Sequence, residues 1–128
     1  MRSNDNEKPR SVGIDTISSR IFMITKHGLF TVYELSGFDV VFQKKFNKVA
    51  LRLHSFRLTN RVMIVFEHDI MVLDSDPLYN TFDELREYTL ALNTITYATM
   101  NLNESLLGVA TISAAAPEVT LYAAQAGF

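Results

Sequence analysis

From Val12 onward the apolar residues fall in short runs of about five to eight, rich in Val, Ile, Phe, Thr and Tyr and broken by polar steps. Runs of that length and composition are strand grammar. They predict strands at about Val12–Ile17, Arg20–Thr25, Leu29–Leu35, Phe38–Phe46, Val49–Leu58, Arg61–Phe66, Ile70–Asp74, Thr94–Met100, Leu106–Ile112 and Glu118–Ala123. The connections "SS", "KHG", "SG", "TN" and "LNE" are as short as antiparallel hairpins require. Within Phe38–Phe46, alternation puts Phe38, Val40, Phe42 and Phe46 on one face. Within Val49–Leu58 the apolar face changes phase near His54–Ser55, where a bulge is expected. The segment "DPLYNTFDELREYTL" reads two ways. One is a short helix from Phe82 to Tyr88, with Thr81 as N-cap and Glu84 at the capping-box position. The other is a long loop ending in a strand, Glu87 to Leu90.

The strands repeat. "RIFMITKHGLFTVYEL" from Arg20 and "RVMIVFEHDIMVLDS" from Arg61 start 41 positions apart. Each opens with arginine and an apolar run, turns at a charged–His step, and closes in an apolar strand followed by an acid. A looser third copy is "LLGVATISAAAPEVTLYAA", whose tip runs through Ala114-Ala115-Ala116-Pro117. The closing positions Tyr33, Leu73 and Tyr122 are 40 and 49 residues apart. A further strand precedes each copy. Three or four antiparallel strands per unit of roughly 40 to 45 residues is the period of a WD-type β-propeller blade. No tryptophan is present and no Gly-His leads the units, so period and hairpin grammar carry this reading. A small two-sheet sandwich is the structural rival. The fold expected is all-β: a WD40-like β-propeller segment of about three blades over residues 12–128, after a flexible lead over 1–11.

The stretch "FDVVFQKKFNKVALRLHSFRLTNRVMIVFEHDIMVLDSD" resembles the early blades of the PROPPIN family, the phosphoinositide-binding WD-repeat propellers of autophagy. The family's apolar strand and acidic tip are met by Asn60 through Asp74, with Leu73-Asp74 where the family closes in an aromatic and an acid. "ALNTITYATMNLNESLLGVATISAAAPEVTLY" resembles the following blade, with Ala116-Pro117-Glu118-Val119 where the family has a Gly-Glu-Val strand. The likeness covers about Gly13 to Ala124. The family's lipid-binding Phe-Arg-Arg-Gly motif has no counterpart here; Phe56-Arg57-Leu58-Thr59 keeps only its first two letters and sits in an earlier blade. The resemblance implies a scaffold or adaptor in autophagosome formation, cytoplasmic or peripheral on autophagic or endosomal membranes. Its implied partners are lipid-transfer or conjugation proteins. Two alternatives are a phosphoinositide-binding membrane effector, if the native protein has further blades, and an unrelated WD-repeat scaffold of the cilium or membrane trafficking.

Composition narrows the chemistry. At 128 residues, 48% apolar and 20% charged, the chain can build one domain's core. A net charge of −2 gives no field for holding nucleic acid, so no nucleic-acid partner is expected. The absence of cysteine excludes disulfides, thiolate metal sites and a cysteine nucleophile, and it suits a reducing compartment. No apolar run approaches the roughly 20 residues of a spanning helix. The polar "MRSNDNEKPR" reads as a lead-in and not a signal peptide.

The cluster Glu67-His68-Asp69 holds metal-ligand and acid–base residue types. Neighbours in an extended chain point to opposite faces, so the three are expected to splay into solvent at a hairpin tip. Asp74 and Asp76, before Pro77, suit a turn. His54 is expected in the core or lining a channel. Asp83, Glu84 and Glu87 surround Arg86 as a solvated surface. No phosphate loop, nucleophile elbow or zincin motif is present. No catalytic, metal or cofactor residue is therefore assigned, and the chain reads as a non-enzyme. Arg52, Arg57, Arg61 and Arg86 are the candidate basic patch. Tyr79, Phe82, Arg86 and Tyr88, read as a rim connection, are the candidate partner contacts, because aromatics and arginine are enriched at binding hot spots. The competing role for these rings is to cover a blade's outer edge.

Overall fold

The computed structural model describes residues 8–89, 94–113 and 116–123; the side chains of Arg86, Tyr88 and Thr89 lie outside the described set. Among the described residues eleven strands follow one another: β1 (Pro9–Asp15), β2 (Arg20–Thr25), β3 (Leu29–Glu34), β4 (Val40–Lys45), β5 (Ala50–Ser55), β6 (Arg61–Phe66), β7 (Asp69–Asp76), β8 (Thr81–Thr89), β9 (Thr94–Met100), β10 (Leu106–Ile112) and β11 (Pro117–Ala123). They pair antiparallel into sheets ordered β1-β2-β3-β4, β5-β6-β7-β8 and β9-β10-β11. The sheets are three successive blades. The first strands of neighbouring blades adjoin: Ser11 Oγ accepts from Leu53 N at 3.0 Å, and Arg52 donates to the Ala98 carbonyl at 2.9 Å. At the β1–β5 contact a side chain at Gly13 would begin 3.2 Å from Ser55 Cβ.

Period-two alternation decides what fills the space between blades. On the face of the first blade toward the second lie Phe22, Ile24, Phe30 and Val32, and they meet Val62, Ile64, Met71 and Leu73. The opposite face of the second blade carries Met63, Val65, Ile70 and Val72, which meet Ile95, Ala98, Leu107 and Val109 of the third. β6 and β7 are buried on both faces, so their sequences read as continuous apolar runs instead of alternating ones.

Four predicted strands, β2, β6, β9 and β10, match residue for residue. The segment after Pro77 is not a helix; the strand expected at its end is present from Glu87 to Thr89, with Leu90 outside the described residues, but it begins already at Thr81. It is β8, paired with β7 from Asp76↔Thr81 to Asp69↔Thr89. β7 has a second backbone edge whose hydrogen bonds need partners, and satisfying it outweighs one capping-box spacing. The bulge expected near His54–Ser55 lies earlier, at Leu51, between the pairs Ala50↔Phe66 and Arg52↔Val65. A second bulge, at Val41, breaks the expected single face of Phe38–Phe46. Phe42 opposes Val32 and packs on the core, whereas Val40 opposes Tyr33 and is exposed. β1 starts at Pro9, inside the stretch read as a lead.

Candidate functional site

Strand directions alternate, so turns 16–19, 35–39, 56–60, 77–80 and 101–105 gather at one end of the blades. Turns 26–28, 46–49 and 67–68 lie at the other. The two ends differ in chemistry. The first displays Phe38, Leu58, Leu78, Tyr79 and Leu102, each at least 65% exposed, with Ile17 and Leu35 also open to solvent. Among the described residues the second is polar, with Lys26, His27, Asn47, Lys48, Glu67 and His68.

The apolar end is held by side-chain hydrogen bonds, because its turns are rich in Asp, Asn and Ser. Asp15 accepts from the backbone N–H of Ile17 at 2.9 Å and from the Ser18 hydroxyl. Asp76 accepts from Leu78 N at 3.0 Å, the turn role expected of it. Asn101 accepts from Leu106 N at 2.8 Å and donates to Asn103 and Ser105. The four non-glycine residues with left-handed backbone among those described, Ser19, Phe38, Asn80 and Glu104, all sit in these turns. Large apolar side chains are thus presented on ordered turns, which lowers the entropy lost on binding.

The turns are also tied across blades. Arg20, 1% exposed, lies beneath the first pair. It donates to Ser18 Oγ at 3.0 Å in its own blade, and to Ser75 Oγ at 2.7 Å and Asn80 Oδ1 at 3.4 Å in the second. The Asp15 carboxylate is 3.9 Å away, and the guanidinium packs on the rings of Phe22 and Phe82. Burial lowers the Arg20 pKa from its ordinary value, with Asp15, Glu34 and Asp76 opposing. Between the second and third blades the tie is Glu104. Its carboxylate meets His54 Nε2 at 2.6 Å and accepts from Arg57 N at 3.1 Å, while Arg57 donates to the Leu102 carbonyl at 2.9 Å. His54 is a linking residue, packed edge-on against Phe56. Replacing Glu104 with alanine orphans these donors, so a stability loss of about 1–3 kcal/mol in urea unfolding is expected.

At the polar end Asp69 does not splay into solvent. It is buried, and its Oδ2 pairs with Lys48 Nζ at 2.5 Å. The connection 46–49 folds over the tip and brings the lysine in, a long-range contact that strand alternation cannot show. Glu87 lies 3.5 Å from the same ammonium. A cleft of about 240 Å³ opens here between Asn47–Val49 and Phe66–Asp69. Among the described residues no group of three His or carboxylate side chains is placed to share a metal ion. Burial works against the Lys48 charge, but Asp69 and then Glu87 outweigh it and raise its pKa above the ordinary value. A raised ammonium pKa stabilises the fold fully below the unfolded value of about 10.4 and is lost as pH climbs through the folded one. Stability is therefore expected to fall above about pH 10.4, and Lys48→Met to flatten that fall in pH-dependent thermal unfolding.

Of the candidate contacts, Tyr79 stands exposed at the apolar end. Phe82 is half-buried and packs on Phe22, Phe30 and Phe42, with ring centroids 5.9, 5.4 and 4.6 Å away. Arg86 and Tyr88 belong to β8 by backbone, and their side chains lie outside the described residues. Among the described side chains the candidate basic patch does not assemble as a free surface. Arg52 and Arg57 both reach the third blade, and Arg61 lies 4.0 Å from Asp74. The reading of the sequence passed over Phe38, Leu58, Leu78 and Leu102. The available signal was a large apolar letter inside each polar turn: "SGFD", "FRLTN", "DPLYN" and "NLNES".

No family model matches the chain, and no curated protein matches it. Solved structures do. The β-propeller domain of Cps50 (Swd1) from Myceliophteria thermophila is similar at a TM-score of 0.67 and 9% identity, over 83% of this chain and 37% of that one. A chain of the mitotic checkpoint complex is similar at 0.76 and 8% identity, over 95% and 38% respectively. The fold is that of a WD40-type β-propeller. This chain spans less than two-fifths of either neighbour's length.

Proposed function

We propose that this chain is a non-enzymatic WD-repeat scaffold that binds a protein partner through its apolar turn end, in the manner the PROPPIN resemblance implies for an adaptor of autophagosome formation. The observation that carries the reading is the exposure of Phe38, Leu58, Leu78, Tyr79 and Leu102 on ordered turns of all three blades. Exposed aromatic and aliphatic side chains gathered at one end mark an interaction surface. Phosphoinositide binding has no residue to rest on, because the Phe-Arg-Arg-Gly motif has no counterpart in the chain.

The test is proximity labelling in autophagy-induced cells with the wild-type chain and a Leu58→Ser/Leu78→Ser/Leu102→Ser variant. Enrichment of lipid-transfer or conjugation proteins is expected with the wild type and loss of about tenfold with the variant, at unchanged thermal unfolding. Equal labelling by both refutes the apolar end. Enrichment of ciliary or coat proteins instead redirects the role to another WD-repeat scaffold. Flotation with vesicles containing phosphatidylinositol 3-phosphate is expected to leave the chain at the bottom of the gradient, and clear flotation favours the membrane effector.

A further inference from the structure

The cleft at the polar end is built from the connection 46–49 and the tip of the β6–β7 hairpin. Asp69 lines it and is only 7% exposed. Its two carboxylate oxygens are in different states. Oδ2 holds the Lys48 ammonium. Oδ1 is buried and has no hydrogen-bond partner among the described residues. A buried acceptor without a donor is costly, so its presence needs a cause. Chain reversal is not that cause. At the corresponding tip of the first blade, Lys26-His27-Gly28, glycine stands in the place of Asp69.

Charge at the cleft leans to the acid side. Glu67 lines it with Asp69 and His68, and Glu87 stands 3.5 Å from the Lys48 ammonium, so three carboxylates gather about one lysine. Among the described residues no three His or carboxylate side chains are placed to share a metal ion. The group that Oδ1 lacks is therefore a hydrogen-bond donor. Val49 and Phe66 supply an apolar wall. At about 240 Å³ the cleft falls below the roughly 300–1,000 Å³ of a small-molecule pocket and suits a single side chain. A long aliphatic stem ending in a cation matches both the wall and the acids.

We propose that this cleft binds an arginine side chain of a partner protein. The stem lies along Val49 and Phe66, and the guanidinium donates to Asp69 Oδ1, with the Glu67 carboxylate as a second acceptor. Two carboxylate acceptors suit the planar fork of arginine better than the point charge of lysine. The cleft lies at the opposite end of the blades from the exposed leucines, so it is a second contact that does not depend on them.

Titration of the 128-residue chain with N-acetyl-arginine amide, followed by amide chemical shifts in NMR, tests this. Saturable shifts are expected at Val49, Glu67 and Asp69, with a Kd of roughly millimolar order for so small a probe. N-acetyl-citrulline amide has nearly the same shape and no charge, and is expected to bind about tenfold more weakly or worse. Glu67→Gln, at the partly exposed rim, is expected to weaken arginine binding about threefold or more while the rest of the spectrum stays in place. Asp69→Asn is expected to abolish it. Should that variant unfold through the loss of its tie to Lys48, the citrulline comparison and Glu67→Gln still decide. Leu58→Ser/Leu78→Ser/Leu102→Ser is expected to bind the probe as wild type does. Absence of saturable shifts at the cleft overturns the proposal. So does citrulline binding as tightly as arginine, or a Glu67→Gln variant with unchanged affinity.

Discussion

Replacing Arg20 with alanine is expected to destabilise the fold by about 3–5 kcal/mol, the cost of breaking a buried charge pair from one side. A typical domain has only about 5–15 kcal/mol in total, so the variant sits near the edge of folding at 37 °C. The cause is specific. Asp15 stays behind, itself 1% exposed, and Ser75 and Asn80 of the next blade lose their donor. The Phe22 and Phe82 rings lose the guanidinium that packs on them. A drop in the urea midpoint on the order of 2 M at unchanged m is the expected readout. Arg20→Lys is expected to lose less, since it keeps the charge but not the fork of donors. A double change, Asp15→Asn with Arg20→Met, is expected to recover part of the loss, because no lone buried charge remains. A loss below about 1 kcal/mol for Arg20→Ala means that this network does not tie the first two blades together.

The second large effect is at Gly28. Its φ of +93° lies where side chains are strained, and an added Cβ would stand 1.9 Å from the Phe46 carbonyl oxygen and 2.7 Å from that of Lys48. Both obstacles are backbone, so neither can rotate away. Gly28→Ala is expected to cost about 3 kcal/mol or more, combining positive-φ strain with displacement of the connection between the first two blades. That connection delivers Phe46 to the core and Lys48 to Asp69. Thermal unfolding is expected to move down by roughly 10 °C or more. Gly37→Ala serves as the control, because its Cβ meets only the Asp39 carboxylate, at 3.3 Å and 3.9 Å. Similar losses at both positions contradict the tight approach at Gly28.

How much of this was legible in the sequence depends on whether the cause is local. Strands β2, β6, β9 and β10 were readable to the residue because their ends coincide with changes from apolar to polar letters. The blade unit was readable because Arg20 and Arg61 head the same hairpin. What was hidden depends on contacts far along the chain. β8 looks like a short capped helix until β7 offers it an edge. Asp69 looks like a solvated tip until residues 46–49 cover it. Arg20 looks like a strand-opening polar residue, and its burial depends on Ser75 and Asn80, 55 and 60 positions away. The bulges at Val41 and Leu51 shift phase by one residue, which alternation alone cannot locate. The apolar end was visible as letters but not as a surface. Only the blade order shows that Leu58, Leu78 and Leu102 point out of one end.

The arrangement of neighbouring blades is the claim on which the rest depends, and an engineered disulfide tests it most directly. The chain has no cysteine, so an introduced pair has no native competitor. A Cβ at Gly13 lies 3.2 Å from Ser55 Cβ, close to the separation of about 3.5–4.5 Å that a disulfide spans, and needs only the Leu53 Cδ2 methyl, 2.8 Å away, to turn aside. Gly13→Cys/Ser55→Cys is expected to cross-link nearly completely under mild oxidation and to migrate faster on non-reducing gels. Val12→Cys/Ser55→Cys, with the first thiol on the opposite face of β1, is expected to remain reduced. A Gly13 pair that does not close, or a Val12 pair that closes as readily, contradicts the side-by-side placement of β1 and β5 and with it the propeller order of the blades.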